Sequence, residues 1–190
     1  EVPNNPRSEA AGTRKVPFTR ELYIEKSDFA EVPPPKFQRL KPDGEVRLMG
    51  AYIVKCNEII KDENGEIAEI RCTADLETGN GMPSDGRKVK GTIHWVSAAH
   101  AVDADLYLYD NLLTIENAND LPEGKDYLDY LNPESLKKLT GCKLEPSLAE
   151  AKEGERFQFV RMGYYVKDRE PGRFNRIVTL KDSFAKTLQK

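Results

Sequence analysis

Histidine, cysteine and long apolar runs are all scarce in this sequence. Its 190 residues include two histidines and three cysteines. No apolar run approaches the roughly 20 residues that cross a bilayer, and the opening Glu1-Val2-Pro3-Asn4-Asn5-Pro6 is not a signal peptide. We therefore expect a cytoplasmic protein with no membrane partner.

The cysteines lack the arrangement of a metal site. They have neither the close spacing nor the histidine companions of a zinc centre, and they are Cys56, Cys72 and Cys142. If Asn64-Gly65 forms a two-residue turn, Cys56 and Cys72 are out of register and their thiols point to opposite faces of the hairpin. We expect three buried, reduced thiols.

An excess of positive charge is also absent. The net charge is −3 and the pI is near 5.6. Neutralisation of phosphates supplies much of the affinity of proteins for RNA. Composition therefore argues against RNA binding unless the cations gather in a local patch.

Short strand signals separated by glycine and proline predict an all-β chain with a few short helices. The clearest unit is a hairpin of residues 47–60 and 66–74, joined through Asp62-Glu63-Asn64-Gly65. Its register places Glu58 opposite Arg71.

The remaining elements are weaker signals. Further strands are predicted at residues 21–24, 89–96, 105–109, 142–144, 156–161, 164–167 and 174–180. Residues 127–131 and 133–139 are predicted to be short helices, the second with Asn132 as N-cap and Pro133 at the first position. Residues 97–101 indicate a tight connection, and residues 1–15 indicate a linker.

One run carries a family resemblance. GRKVKGTIHWVSAAHA, from Gly86 to Ala101, resembles the C-terminal anticodon-binding region of the glutaminyl-tRNA synthetase family, of class I. Shorter matches follow in the family's order: VPF at 16–18, GEVRL at 44–48, LNPESL at 131–136, EPSL at 145–148, FQF at 157–159 and FNR at 174–176. The resemblance thus covers nearly the whole chain.

The resemblance implies a specific fold. The family has two interwoven antiparallel β-barrels of the kind found in a ribosomal 5S-RNA-binding protein. Carried over, residues 1–15 are an arm from the preceding part of the protein. A proximal barrel takes about 16–35 and 120–190, and a distal barrel takes about 36–119.

The resemblance also implies a function. Enzymes of this family attach glutamine to tRNA(Gln), using ATP and Mg²⁺. The chain lacks their histidine-rich ATP-binding signature and lysine-rich mobile loop, so we expect neither aminoacylation nor a cofactor here, and no catalytic residue. His94 and His100 are interpreted as structural. The expected partners are the anticodon loop and the protein's own catalytic domain, in a monomer.

Four side chains match anticodon-binding positions of the family. Arg39 matches the arginine that recognises the third base, and Arg47 matches another arginine near the bases. Gln158 matches the glutamine that recognises the central uracil, and Arg161 matches an arginine that supports it. The chemistry is suitable, because guanidinium bonds guanine or phosphate bidentately and an amide both donates and accepts.

Lys36, Gln38 and Ser183 complete the candidate RNA-binding set. Lys36 stands where the family has a polar amide, and Ser183 stands where it has threonine. Met49 replaces an arginine near the first anticodon base, so we expect the pocket to tolerate both cytosine and uracil there.

Three alternatives remain open. An archaeal or eukaryotic glutamyl-tRNA synthetase shares the architecture, and a stand-alone rRNA-binding ribosomal protein could share the fold. A non-RNA interaction module is supported by the acidic pI. In that last case Arg39, Arg47 and Gln158 are ordinary solvated side chains of strands.

Overall fold

Short strands dominate the computed structural model, which describes residues 1–180. The strands are β1 (Val2–Pro3), β2 (Thr13–Arg14), β3 (Leu22–Ile24), β4 (Glu45–Leu48), β5 (Ile53–Lys61), β6 (Ile67–Asp75), β7 (Thr92–Ile93), β8 (Trp95–Ser97), β9 (Val102–Tyr109), β10 (Leu136–Leu144), β11 (Arg156–Phe159), β12 (Gly163–Lys167) and β13 (Arg173–Val178). The helical segments of this part are short 3₁₀ turns at Glu9–Ala11, Lys26–Asp28, Tyr127–Tyr130 and Pro146–Glu150. None has the length or apolarity to cross a membrane. The all-β prediction is confirmed.

The chain divides into two compact units, Glu1–Ala101 and Val102–Lys190. In the first, a sheet has the order β6-β5-β4-β7, with β4 and β7 parallel, beside the pairs β3-β8 and β1-β2. Its core combines apolar side chains of these strands and of their connections: Leu40, Val46, Leu48, Ala51, Val54, Cys56, Ile93 and Trp95.

The second unit is built on one five-stranded sheet. Its order is β10-β9-β13-β12-β11, and β9 and β13 run parallel. Alternate residues of these strands face a separate core of Ala104, Leu106, Leu144, Tyr165 and Phe174. The predicted division into interleaved barrels stays a prediction; β9 pairs here with strands of the second unit.

The predicted hairpin is present as β5 and β6. Its turn closes with a bond from the Gly65 N–H to the Asp62 carbonyl (3.0 Å), and Gly65 has a φ of 81°. Glu58 pairs with Arg71, and their side chains form a 3.2 Å ion pair. This cross-strand prediction is confirmed. Residues 47–60 are not one strand, however, because a turn at Met49-Gly50 separates β4 from β5.

The prediction that the two hairpin thiols face opposite sides is wrong. The register shifts between Cys56 and Glu58, because Asn57 is an extra residue in β5, and Cys56 pairs directly with Cys72. The expected burial also fails in part, since Cys56 is buried but Cys72 is exposed at the edge strand β6. None of the three cysteines, all in the described part of the chain, forms a disulfide.

Two other sequence predictions are corrected. Residues 133–139 do not form a helix: the Asn132 side chain caps only a turn, accepting from the Glu134 N–H at 3.0 Å, and Leu136 already pairs with Tyr109. The strand expected at 89–96 is two strands that are interrupted at His94. The helical turn near residue 127 and the tight connection after Ser97 are confirmed.

The first fifteen residues are more ordered than a linker. β1 and β2 form a small ribbon, closed by the Asn4 N–H donating to the Gly12 carbonyl at 3.0 Å. The ribbon packs on the rest of the first unit at Gly50, where an added Cβ would lie 2.7 Å from a methyl of Val2.

Candidate nucleic-acid interface

A constrained turn precedes the candidate residues of the first unit. The Phe37 N–H donates to the Pro34 carbonyl at 3.1 Å, and Lys36 has a φ of 65°. A side chain in this left-handed region costs roughly 1–2 kcal/mol, so glycine is usual there. The turn presents Lys36 to solvent and directs the next residues towards the sheet.

Gly91 holds this segment in place. Its φ is 92°, and a Cβ built on it would lie 1.7 Å from the carbonyl oxygen of Gln38. Only glycine allows the two backbones to approach so closely. The segments 36–40 and 88–91 therefore form the two walls of one cleft.

That cleft, the basic cleft, has a volume of about 440 Å³ and is lined by Phe37, Gln38, Arg39, Lys41, Asp43, Glu45, Lys55, Lys88, Val89 and Lys90. Five of these residues are cationic and two are anionic. An aromatic ring and an amide lie beside the cations. A chain with a net negative charge needs a local positive patch to bind RNA, and the basic cleft has that character.

The basic cleft continues over the outer face of the four-stranded sheet. An adjoining cleft of about 410 Å³ shares Asp43, Glu45 and Lys55 with it and extends to Asn57 and Thr73. Lys55 is the cation between the two. The combined surface is longer than a pocket for a single base.

Arg39 lies at this cleft but is also tied to the core. Its Nε is 3.5 Å from the carboxylate of Asp28, and its Nη1 donates to the Ser27 carbonyl at 2.9 Å. Asp28 is fully buried, whereas the Arg39 side chain is 18% exposed. Arg39 thus serves as the counter-ion of a buried carboxylate and leaves only part of its guanidinium accessible.

Arg47 is used by a loop. Its two terminal nitrogens donate to the carbonyls of Gly79 (3.1 Å) and Gly81 (2.6 Å). It lies on the same outer face as Glu45, since Val46 and Leu48 point into the core. The arginine therefore holds the Gly-rich connection between β6 and β7 against the sheet.

A second arginine fixes the other end of that connection. Arg87 contacts the carboxylates of Asp75 (2.6 Å), Asp85 (2.6 Å) and Glu45 (3.1 Å). Bonds from Thr78 and from Arg87 lower the pKa of Asp75 to about 2. The Arg87 backbone and side chain also lower the pKa of Asp85. This cluster positions the two lysines that follow, Lys88 and Lys90.

Gln158 and Arg161 belong to the second unit, which is described by itself. Gln158 is exposed on β11, opposite Tyr164, a residue that is 42% exposed, while Phe157 and Phe159 face the core. Arg161 occupies the turn between β11 and β12 with a φ of 66°. An amide beside an accessible aromatic ring suits an unstacked base.

The predicted set is therefore distributed over several places. Gln38 and Arg39 line the basic cleft, Lys36 precedes it, Arg47 lies under the neighbouring loop, and Gln158 and Arg161 lie at one end of β11. Ser183 lies outside the described residues. The roles of these residues in RNA binding remain predictions.

Sequence reasoning missed several members of the cleft: Phe37, Lys41, Lys55, Lys88 and Lys90. A signal was available for two of them, because the GRKVKG motif places Lys88 and Lys90 on the same side of an extended segment. Tyr164 was also missed, and its alternation with the buried Tyr165 is the pattern that could have indicated it.

The histidines have structural surroundings. His100 Nδ1 is 2.9 Å from the Ser97 hydroxyl, within the turn that its own N–H closes. His94 interrupts β7 and β8 and is half-buried. Within residues 1–180, no group of three or more His, Cys, Asp or Glu side chains is placed to hold a metal ion.

Comparison with known families finds two matching segments in the chain. Residues 1–75 and 92–168 each match a model described as the anticodon-binding domain of class I tRNA synthetases (E and Q). The two matches include Gln38, Arg39 and Arg47 in the first range, and Gln158 and Arg161 in the second.

Curated relatives match almost the entire chain. Glutamine–tRNA ligase of Xanthomonas campestris pv. campestris (strain 8004) is 54% identical over 188 residues, which are 96% of this chain and 32% of the relative. The enzymes of the same name from Ectopseudomonas mendocina and Pseudomonas syringae pv. tomato are 51% and 48% identical, over 97% of this chain and 34% and 33% of their own lengths. The chain thus spans about a third of these relatives.

Proposed function

The chain belongs to the anticodon-binding domains of class I tRNA synthetases (E and Q), and we propose that it recognises the anticodon loop of tRNA(Gln) within a glutamine–tRNA ligase. The names of the relatives favour glutamine over glutamate. No observation favours a stand-alone ribosomal protein.

The basic cleft is the observation that carries this proposal. Its five cations neutralise phosphates of the loop, and Phe37 offers a surface on which an unstacked base can lie. The Gln38 amide supplies both a donor and an acceptor to a base edge. Arg39 recognises the third base with the part of its guanidinium that Asp28 leaves accessible.

A second contact lies on the other unit. Gln158 hydrogen-bonds the central uracil, and the neighbouring Tyr164 stacks on it or on an adjacent base. Arg161, in the turn at the end of β11, contacts the backbone of the same nucleotide. Lys36 adds a solvent-exposed charge, and Arg47 acts chiefly by holding the loop that ends at Lys88. Ser183 adds a hydroxyl to this set.

The remaining steps belong to the complete protein. There the chain works beside its own catalytic domain, which uses ATP and Mg²⁺ to attach glutamine to tRNA(Gln), in the cytoplasm and as a monomer. This segment contributes recognition alone, and we assign none of its residues to ATP or Mg²⁺.

The test is a binding titration with anticodon stem-loops at two salt concentrations. Lys88→Ala with Lys90→Ala should weaken binding and lower the salt slope by about 2, one per lost phosphate contact. Lys15→Ala is the control, because Lys15 is exposed in the same unit and lies outside the cleft. An unchanged slope would contradict the proposal.

Base recognition needs a separate comparison. Gln158→Ala should reduce the preference for a stem-loop with central uracil over one with another base there, with little change in salt slope. Stem-loops with CUG and UUG should bind equally well, because Met49 offers no charge to the first base. A strong preference for CUG would remove the tolerance proposed for that position.

A further inference from the structure

A second cleft, the outer cleft, lies directly beside the basic cleft on the outer face of the four-stranded sheet. Its volume is about 410 Å³, and it is lined by Asp43, Glu45, Ile53, Lys55, Asn57, Thr73, Ala74 and Asp75. A cleft of this volume is large enough for a small ligand. Because three of its residues also line the basic cleft, an RNA chain bound in one cleft is able to continue into the other.

One side of the outer cleft is formed by polar side chains of the hairpin. Lys55 of β5 pairs with Thr73 of β6, and the Asn57 Nδ2 donates to the Thr73 hydroxyl at 2.5 Å. Asn57 is the extra residue of β5, and such bulges often re-aim a side chain beside a binding site. That bond uses a donor of the Asn57 amide, and the amide oxygen is an acceptor. The outer cleft thus combines a cation with uncharged hydrogen-bonding groups.

The three carboxylates of the outer cleft differ in their surroundings. Arg87 contacts Glu45 at 3.1 Å and Asp75 at 2.6 Å, and it compensates their charge. The ion pairs of Arg87 do not include Asp43. Asp43 lies in a turn, with a φ of 57°, and lines both clefts. Its carboxylate is therefore placed at the junction, beside the five cations of the basic cleft.

A carboxylate at this junction favours some parts of RNA over others. It repels phosphate, but it accepts hydrogen bonds from the exocyclic amino group of a base, as acidic side chains do from cytosine. Uracil has no amino group and presents carbonyl oxygens instead. Lys55, which also lines both clefts, attracts the phosphate that adjoins the base. The mixed charge of the outer cleft therefore suits a complete nucleotide.

We propose that the outer cleft binds one nucleotide of the anticodon loop that lies outside the three anticodon bases, and that it prefers a base with an exocyclic amino group. Asp43 accepts from that amino group, the Asn57 amide provides a second acceptor, and Lys55 contacts the phosphate. This inference rests on the proposed function, in which the anticodon bases are held by other residues. The ligand is adenosine, guanosine or cytidine, and uridine is disfavoured.

A titration with substituted stem-loops tests the site. Each loop nucleotide outside the triplet is made adenosine, uridine or abasic in turn, and each stem-loop is titrated with the 190-residue chain. At one position, adenosine should give about tenfold tighter binding than uridine or the abasic residue. Asp43→Asn should reduce that difference, as expected for two groups in contact. Equal affinities for the three loops at every position would overturn the proposal.

The sign of the effect of Asp43→Asn separates base binding from simple repulsion. Asparagine tolerates the φ of 57° at this position. If Asp43 only repels RNA, its neutralisation beside five cations strengthens the binding of every stem-loop. The proposal requires binding of the adenosine loop to weaken by about fivefold, because a charged acceptor is replaced by a weaker neutral one, while binding of the uridine loop does not weaken. Tighter binding of the adenosine loop, or an equal loss for both loops, would contradict it.

Two further variants complete the experiment. Glu63→Gln makes the same charge change at an exposed residue outside both clefts, and it should bind both loops as the parent chain does. Asn57→Ala should also reduce the preference for adenosine, and an unchanged preference would remove Asn57 from the site.

The failure of this proposal is distinguishable from failure of the proposed function. If Lys88→Ala with Lys90→Ala weakens stem-loop binding but Asp43→Asn has no base-dependent effect, the outer cleft binds no base and the proposed function stands. If the effect of Asp43→Asn depends on the first anticodon base instead of a flanking nucleotide, the outer cleft is part of the anticodon site and the proposal is overturned.

Discussion

The guanidinium of Arg39 lies 3.5 Å from the carboxylate of the fully buried Asp28. The family resemblance assigns Arg39 to the third anticodon base. The same side chain also has a structural role, because it contacts Asp28 and the Ser27 carbonyl. A loss of RNA binding in an Arg39 variant would therefore not by itself demonstrate base recognition.

We predict that Arg39→Ala lowers the free energy of unfolding by about 3 kcal/mol, because it removes a cation that lies 3.5 Å from a buried carboxylate. Urea denaturation measures this change. The neighbouring exposed Lys41→Ala should shift stability by less than about 0.5 kcal/mol. If Arg39→Ala is as stable as the parent chain, the ion pair has no structural role and the variant becomes a clean test of binding.

Gly91→Ala should be far more damaging than Gly86→Ala. Both glycines have positive φ, but a Cβ on Gly86 meets nothing within 4 Å, whereas one on Gly91 collides with the Gln38 carbonyl. We expect a loss of about 1 kcal/mol at Gly86 and about 3 kcal/mol at Gly91, together with weaker stem-loop binding. Denaturation of the two variants side by side checks the difference, and equal losses would mean that backbone strain alone acts.

Arg161 offers a way to separate stability from binding. Its φ of 66° suits glycine, so Arg161→Gly should be more stable than Arg161→Ala by about 1 kcal/mol. Both variants remove the guanidinium, and both should weaken stem-loop binding to the same extent. Denaturation and titration of the pair test this; unequal affinities would show that the turn geometry, and not the charge, matters for RNA.

Acid should loosen the loop that Arg87 holds. Asp75 has a folded pKa of about 2, below its ordinary value of 3.8. A depressed carboxyl pKa contributes stability that is complete above the unfolded value and is lost as the pH falls through the folded one. The unfolding midpoint should therefore decrease between about pH 4 and pH 2, and Asp75→Asn should reduce the dependence in that window. If the unfolding midpoint of Asp75→Asn decreases equally steeply over this pH range, the pH dependence has a cause other than Asp75.

Cys56 and Cys72 should form a disulfide under a mild thiol oxidant such as diamide. The Cys56 N–H donates to the Gly44 carbonyl at 3.0 Å, so its backbone polar groups point away from β6. Cross-strand partners without mutual hydrogen bonds have Cα atoms about 4.5 Å apart, within the range of a disulfide.

Partial desolvation is the main cause that raises the pKa of both thiols, that of Cys72 to about 11, although Cys72 lies at the exposed edge strand. The oxidation should therefore be slow at neutral pH and faster in alkali, where more thiolate is present. Alkylation followed by mass spectrometry detects the link. Cys142→Ser should leave it intact, and Cys72→Ser should abolish it. Oxidation of the parent chain without an internal link would contradict the register.

The features that the sequence predicted well are set by neighbouring residues. The turn at Asn64-Gly65 and the capped turn at Tyr127–Tyr130 follow from side chains within four positions of each other. The relation between Arg39 and Asp28 is different, because it depends on how the chain folds back after the three prolines at 33–35. The cleft is harder still to predict from sequence, since Lys55 and Lys88 line it together only when separate strands and loops come together.

The same limit explains the helix expected after Asn132. Pro133 and Asn132 satisfied the local rules for a helix start, but the following Leu136, Lys137 and Lys138 pair with β9. Ladder bonds to a strand nearly thirty residues earlier outweigh a local capping preference. Family resemblance supplied what the local rules lacked, namely which isolated polar side chains deserve testing against RNA.

The extra residue Asn57 sets the inside-outside parity of the whole hairpin tip. Before it, Val54 and Cys56 face the core at even positions; beyond it, Ile59 does so at an odd one. If Asn57 instead took a regular place in the ladder, the tip would invert, turning Ile59 to water and Glu58 inward. The bulge thus keeps one side of β5 facing the core continuously from Val54 to Ile59.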